Sequence, residues 1–194
     1  MLAAAVPFAL ETGMVKAQGD ETTLRVLTVN TGMLSDITVQ TPGGQIAYDG
    51  DARIDGVPGT AAPVRIRFLD TEGSVAGSLL PTGRAKDVFD IEGFGKLEAT
   101  CIDNGMPMVL LRAEDVQRTA YESVADMNAD TELKSILEKL RLQAALAMGL
   151  GDVSQKNYPK MCLLNQPLHG GAVHTRCFIP HVCHDAIGVL AAVT

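Results

Sequence analysis

Two apolar helical segments lie at the ends of this sequence, and they constrain its fold more than any other feature. Residues 1–16 and 184–194 consist almost wholly of small and apolar residues, so apolar side chains point in nearly every direction around each helix. Such a helix must be buried on all sides by other elements. The first segment has no N-cap and the second has no C-cap. The sequence therefore predicts two core helices whose surrounding shells this chain supplies only in part, and hence a piece of a longer protein.

The middle of the chain alternates between apolar and polar residues, as half-buried strands do. One amphipathic helix is predicted over 130–149, capped by Asp130 or Thr131 and lying on the surface of the sheets, with its Lys and Glu residues forming a solvated face. A turn is predicted at Asn30–Gly32 and another at Asn104–Gly105. Strands are predicted at 23–30, 33–40, 45–49, 64–69, 74–80, 88–91, 97–102, 108–112, 161–165 and 172–179.

Composition excludes several classes of function. The formal net charge of −7 disfavours nucleic acid as a partner, because phosphate binding requires a basic face. Hydrophobic residues make up 46% and charged residues 20%, which is typical of a globular protein, and no stretch is long and apolar enough to span a bilayer. Four cysteines without dense, even spacing indicate reduced thiols. We therefore expect a cytoplasmic protein with neither a nucleic acid nor a membrane as partner.

The stretch from Arg176 to Thr194 holds the strongest candidate for chemistry. If the last helix starts at Cys183, His184 and Asp185, the backbone N–H groups there have no partner within the helix and suit a carboxylate. A thiol in that place has a lowered pKa and can transfer protons. The alternative is that Cys183 is a small buried hydrophobic residue, as cysteines near apolar helices usually are.

Other chemistries find less support in the sequence. Six candidate groups fall within eleven residues, so a zinc site is the first alternative. The spacing is poor for zinc, because no Cys-x-x-Cys pair occurs and the side chains of the adjacent Cys183 and His184 diverge. The sequence contains no Gly-x-Ser-x-Gly elbow, no Gly-x-Gly-x-x-Gly and no Walker loop, so neither serine hydrolysis nor a nucleotide cofactor is expected. Proton transfer without a cofactor remains the leading hypothesis. The six candidate groups are His174, Arg176, Cys177, His181, Cys183 and His184.

Several motifs, in one order along the whole chain, resemble those of the PrpF family of isomerases. The resemblance implies an α+β, diaminopimelate epimerase-like fold, with two similar domains that each curl a β-sheet around a central helix. Residues 1–58 would be the remainder of the first domain and residues 59–194 the second, both incomplete. The motifs are Ile54–Pro63, Leu79–Gly83, Ile102–Pro107, Pro159–Lys160 and Arg176–His184.

The resemblance also assigns roles to individual residues. Cys183 falls at the second acid/base position of the epimerase fold, and Arg176 falls near the arginine that binds the substrate carboxylate. His184 and Asp185 would offer backbone N–H groups to a carboxylate. Lys160, at a strand edge, is a further carboxylate partner if it points into the cleft between the two domains of that fold. The substrate-contacting turn corresponds to Asn104, Gly105 and Met106, where the epimerases have asparagine in place of Met106.

The resemblance implies a cofactor-independent isomerase that shifts a proton on an unsaturated tricarboxylic-type acid. The motifs are most like those of members that interconvert the keto and enol forms of 4-oxalomesaconate in gallate breakdown. Cis–trans isomerisation of 2-methylaconitate is the alternative within the family. An alternative of another class is a non-catalytic, zinc-stabilised or inactive fragment. A small di- or tricarboxylate is the expected partner, and a homodimer is the assembly considered.

Overall fold

The computed structural model describes residues 2–29, 32–54 and 57–194, which divide between Thr71 and Glu72 into two compact units. Each unit combines helices with a mainly antiparallel sheet, so the expected α+β class is confirmed. Residues 30 and 31 of the predicted turn lie outside the described residues, as do residues 55 and 56 of the first motif. No helix within the described ranges is both long and apolar enough to cross a membrane.

The first unit is a three-stranded antiparallel sheet with one helix packed on it. Its elements in chain order are α1 (Leu2–Glu11), β1 (Glu21–Thr28), β2 (Met33–Gln40) and β3 (Arg65–Leu69), and β2 is the central strand. Val6 of α1 packs with Ile37 and Val39 of β2 in a small core. The expected all-round burial of the first helix is not seen, since Phe8 is 58% exposed and Val6 is the one buried residue of α1.

One strand predicted for the first unit is missing from it. The strand predicted at 45–49 is absent, because Pro42–Gly44 form a 3-10 helix in which Gly43 and Gly44 have φ of 63° and 82°, and this turns the chain away from the sheet. The domain division expected after residue 58 stays a prediction, whereas the compact units themselves divide after Thr71. Strand β3 pairs with β2, which places residues up to Thr71 in the first unit.

The second unit is a five-stranded sheet that carries three helices. The strand predicted at 74–80 is absent from it, because these residues form turns and bends. Its strands, in sheet order, are β4 (Asp87–Ile91), β5 (Gly95–Asp103), β6 (Pro107–Arg112), β7 (Lys160–Asn165) and β8 (His174–Phe178). All neighbours are antiparallel except β6 and β7, which are parallel. A parallel pair needs a long crossover. Here the crossover contains α2 (Val124–Ala129) and α3 (Thr131–Ala147), and α4 (Val189–Val193) follows β8.

The predicted amphipathic helix is present as α3, but it is part of the core rather than a surface helix. Its apolar stripe packs on the sheet in the main hydrophobic cluster, and Leu133 and Leu140 are fully buried. The helix begins at Asp130, whose side chain accepts a hydrogen bond from the N–H of Leu133. The expected solvated face is only partly solvated, because Glu138 is an ion-pair partner of the fully buried Arg141.

The two faces of the sheet are covered differently. Side chains of successive strand residues alternate between faces. Met161 and Leu163 of β7 belong to the cluster under α3, whereas Cys162 packs with Ala191 of α4 in a second cluster. By the same alternation, Arg176 and Phe178 of β8 share the α3 face, and Cys177 lies on the α4 face.

We predict that the ion pair at the start of α3 makes stability depend on pH in the acid range. Arg118 Nε is 2.6 Å from a carboxylate oxygen of Asp130, and this contact holds the pKa of the Asp130 carboxyl below its usual value. A carboxyl with a lowered folded-state pKa adds stability above its unfolded pKa of about 3.9, and that stability is lost as the pH falls through the folded-state pKa.

The variant Asp130→Asn tests this prediction, because asparagine caps a helix as well as aspartate does but carries no charge. In urea titrations between about pH 5 and about pH 2, the free energy of unfolding of the unmodified chain should fall more steeply than that of the variant. The exposed Asp90, changed to asparagine, serves as the control and should leave the slope as it is. If the free energy of unfolding falls equally with pH in the unmodified chain and in Asp130→Asn, the ion pair has no such role.

Candidate active site

Cys183 does not lie at the start of a helix. The last helix, α4, begins six residues later at Val189, with Gly188 as its N-cap, so the predicted helix start is wrong. Residues 179–184 instead fold back along β8. The N–H of Ile179 donates to the carbonyl of Val182, and the N–H of His184 donates to the carbonyl of Cys177 at 3.0 Å. The expected seat for a carboxylate on free amides at Cys183 and His184 is therefore not formed.

The backbone of Cys183 is held by a side chain from another element. Its N–H donates to Oδ1 of Asn128 at 2.8 Å, and its carbonyl accepts from Nδ2 of Asn128 at 3.2 Å. The residue is 2% exposed and belongs to the main hydrophobic cluster with Phe178 and Met127. Sequence reasoning missed Asn128, because the contact spans 55 residues and no local pattern indicates it.

Burial changes the expected chemistry of this thiol. Desolvation raises the pKa of Cys183, although the positive charge of Arg176 partly offsets the effect. The lowered pKa predicted for Cys183 from the sequence is wrong, because the prediction relied on a helix N-terminus, and α4 begins only at Val189. At neutral pH the thiol is therefore protonated, and it can act as a proton donor rather than as a thiolate.

Arg176 is close enough to act on Cys183 and retains a hydrogen-bond donor without a partner. Its Nη2 donates to the carbonyl of Glu122 at 3.4 Å. Its Nε is buried, and no acceptor among the described residues reaches it. Such a buried, unpaired donor is rare in folded proteins and calls for an explanation. A ligand carboxylate oxygen would satisfy it with a charge-assisted hydrogen bond.

The predicted turn at Asn104 is present between β5 and β6, and it is tied to the end of α4. Asn104 Nδ2 donates to the carbonyl of Val193 at 3.0 Å, and Thr194 Oγ1 donates to the carbonyl of Asn104 at 3.3 Å. Gly105 has φ of 86°, a conformation that glycine adopts without strain. Met106 packs against the cluster on the α4 face.

A buried carboxylate next to this turn was missed by the sequence analysis. Asp103 is 0% exposed, and its side chain accepts hydrogen bonds from the hydroxyl of Ser74 and the N–H groups of Val75 and Ala76, all within 2.8 Å. These bonds fasten the preceding loop to the start of the turn. The signal in the sequence was an aspartate at an inward-facing position of an alternating strand.

The structure therefore divides the predicted site residues into two groups within the second unit. Arg176 and Cys183 are together on the α3 face, followed in the chain by the exposed His184 and Asp185. Lys160, the first residue of β7, alternates onto the α4 face with Cys162. The second group is made up of Lys160, Asn104, Gly105 and Met106.

Two surface cavities in the described parts of the chain lie away from both groups. One cavity of about 580 Å³ lies in the first unit, lined by residues that include Glu11, Lys16 and Gln45. Another, of about 330 Å³, lies in the second unit beside Lys86 and Arg112. Neither is lined by a predicted site residue. Among residues 2–29, 32–54 and 57–194, no three His, Cys, Asp or Glu side chains come together as a metal-ligand set.

Comparison with known proteins links the whole chain to one family. The PrpF protein family matches residues 1–194. The chain is similar to 4-oxalomesaconate tautomerase of Pseudomonas putida KT2440, with 53% identity over 100% of this chain and 52% of that protein. It is 50% identical to (4E)-oxalomesaconate Delta-isomerase of Novosphingobium sp. KA1, over 100% of this chain and 53% of that protein. The 2-methyl-aconitate isomerase of Shewanella oneidensis is more distant, at 31% identity over 86% of this chain and 45% of that protein.

A solved structure supports the same grouping. The crystal structure of methylitaconate-delta-isomerase matches with a TM-score of 0.84 and 27% identity, covering 97% of this chain and 53% of that one. The diaminopimelate epimerase-like fold expected from the sequence is thereby confirmed. The chain spans about half the length of the curated relatives it matches.

Proposed function

The chain belongs to the PrpF family, and from this we propose that it carries part of the active site of a cofactor-independent isomerase acting on 4-oxalomesaconate. One observation carries the proposal. Two relatives named for oxalomesaconate are 53% and 50% identical over the full chain, whereas the relative named for 2-methyl-aconitate is 31% identical. The reaction would be a keto–enol shift of one proton on an unsaturated tricarboxylic-type acid.

In this proposal Cys183 is the proton donor and Arg176 binds a substrate carboxylate. The buried thiol stays protonated at neutral pH, which suits delivery of a proton to the carbon of an enol while the enol oxygen releases its own proton to water. The buried Nε of Arg176 would donate to a carboxylate oxygen, and its charge would stabilise the thiolate left after transfer. The remaining predicted substrate-binding residues stay part of the proposal, but His184 would act through a group other than its backbone N–H, which is bonded to Cys177. They are Asn104, Gly105, Met106, Lys160, His184 and Asp185.

Isomerisation of 2-methylaconitate is the second candidate within the family, and its support is the more distant relative. The zinc-stabilised alternative has no ligand set among the described residues. A homodimer and a cytoplasmic location remain predictions from the sequence.

A chimera tests the proposed substrate. Residues 1–194 would replace the matching segment of the Pseudomonas putida protein, so that the chain is assayed within a protein of the relatives' length. We expect kcat/KM for 4-oxalomesaconate to exceed that for 2-methylaconitate by at least about 100-fold, since selectivity between such acids rests on a few buried polar contacts. The opposite order would replace the proposed substrate with the alternative.

A further inference from the structure

Asn128 makes two hydrogen bonds to one residue of the candidate site. Its Oδ1 accepts from the N–H of Cys183 at 2.8 Å, and its Nδ2 donates to the carbonyl of Cys183 at 3.2 Å. The backbone N–H can only donate, so the oxygen of the carboxamide must face it, and the orientation of the side chain is therefore set. The two bonds together imitate the pairing that a neighbouring strand would give.

The rest of the segment around Cys183 is bonded mainly to β8 itself. His184 N–H donates to Cys177 within the same fold-back, and Cys183 forms an isolated bridge with Phe178. Asn128 is the link from Cys183 to a separate element, because it lies in α2. Without it, the buried backbone groups of Cys183 would lose both of these partners, which is unfavourable.

The same short element also contacts Arg176. The carbonyl of Glu122, which accepts from Arg176 Nη2, directly precedes Ser123, the N-cap of α2. At the other end of α2, the carbonyl of Asn128 accepts from Lys134 Nζ at 3.2 Å, which ties α2 to α3. One helix of six residues therefore connects the guanidinium and the backbone of the thiol residue.

We propose that Asn128 is a positioning residue of the candidate site, whose carboxamide holds the backbone of Cys183 so that the thiol stays buried beside Arg176. The inference deepens the proposed function and rests on it for its catalytic meaning. The placement of the thiol can be measured on the 194-residue chain without any turnover.

The experiment is alkylation of each cysteine by iodoacetamide as a function of pH, read by mass spectrometry of the digested chain. Asn128→Ala removes both hydrogen bonds, and we expect Cys183 to react at least roughly tenfold faster. The midpoint of its pH profile should move down toward the ordinary thiol value, because the thiol gains contact with water. The groups that act on this thiol are Arg176, Cys177 and Asp185, and the variant leaves all three in place.

A second variant and a matched control separate positioning from general unfolding. Asn128→Asp keeps an acceptor for the N–H but sets a carboxylate oxygen against the carbonyl of Cys183, and its negative charge should move the midpoint of the Cys183 pH profile up rather than down. Asn165→Ala removes a similar bond, from Asn165 Nδ2 to the carbonyl of Thr119, at a place that does not contact Cys183. The control should leave Cys183 reactivity unchanged, and Cys101 should react equally slowly in all variants.

An unchanged rate and pH profile of Cys183 in Asn128→Ala would overturn the proposal. Equal acceleration of Cys101 and Cys183 would overturn it as well, since that result indicates unfolding. Loss of the proposed isomerase activity in the chimera would instead count against the function and leave the alkylation result intact. The two failures are therefore distinguishable.

Discussion

Replacing Arg141 with methionine should lower the free energy of unfolding by about 3–5 kcal/mol, the cost of removing one partner of a buried ion pair. The Arg141 side chain is 0% exposed, and its Nε and Nη2 bond to Glu138 at 2.6 and 2.8 Å. Its Nη1 donates to the carbonyls of Val153, Lys156 and Tyr158. Methionine fills much of the same volume but leaves a carboxylate and three carbonyls without their donor.

The loss of unfolding free energy should depend on the burial of the ion pair. Arg112→Met is the matched control. Arg112 also pairs with a carboxylate three residues away, Asp115, but its side chain is 62% exposed. Exposed pairs contribute little to stability, because water and salt screen their charges. Chemical denaturation of both variants measures the difference, and equal losses would show that Arg141 does not fasten α3 to the loop before β7.

Replacing Cys183 with alanine should lower kcat for 4-oxalomesaconate in the chimera by roughly 10²–10⁴-fold, the usual contribution of a positioned proton donor. Because burial raises the pKa of this thiol, the rate should hold through neutral pH and fall only above the ordinary thiol pKa of about 8.5. In the Cys183→Ala variant that alkaline limb should disappear.

The control is Cys101→Ala, which removes another thiol of the same hydrophobic cluster. Burial raises the pKa of Cys101 to about 12, and the proposal gives that residue no role in proton transfer. We expect kcat within a few-fold of the unmodified chimera and a retained pH profile. Similar losses in both variants would mean that the cysteines matter for packing alone.

Local patterns predicted most of the sheet and the long helix. Strand β2 and helix α3 follow from alternation and from apolar residues at helical spacing, together with the cap at Asp130. Arg141 could also have been found, because it sits four residues after Leu137 and three before Ala144, on the apolar stripe. A charged residue there has to find buried partners.

The site was less predictable because long-range contacts determine it. Residues 184–187 are compatible with a helix, but α4 begins only at Val189, since the backbone of Cys183 is bonded to Asn128 and that of His184 to Cys177. Free amides and a lowered pKa were expected from a local pattern. The pairing across 55 residues replaced both with a buried, protonated thiol.

If the proposed function is right, this chain supports isomerisation of 4-oxalomesaconate without a bound metal or cofactor. The measurement is the ratio of kcat/KM for the chimera to that for the parent Pseudomonas putida protein, both dialysed against a chelator. We expect a ratio within about tenfold of unity, because the two sequences share 53% identity over the exchanged segment. A folded chimera with no turnover, or with turnover only after zinc is added, would contradict the proposed function.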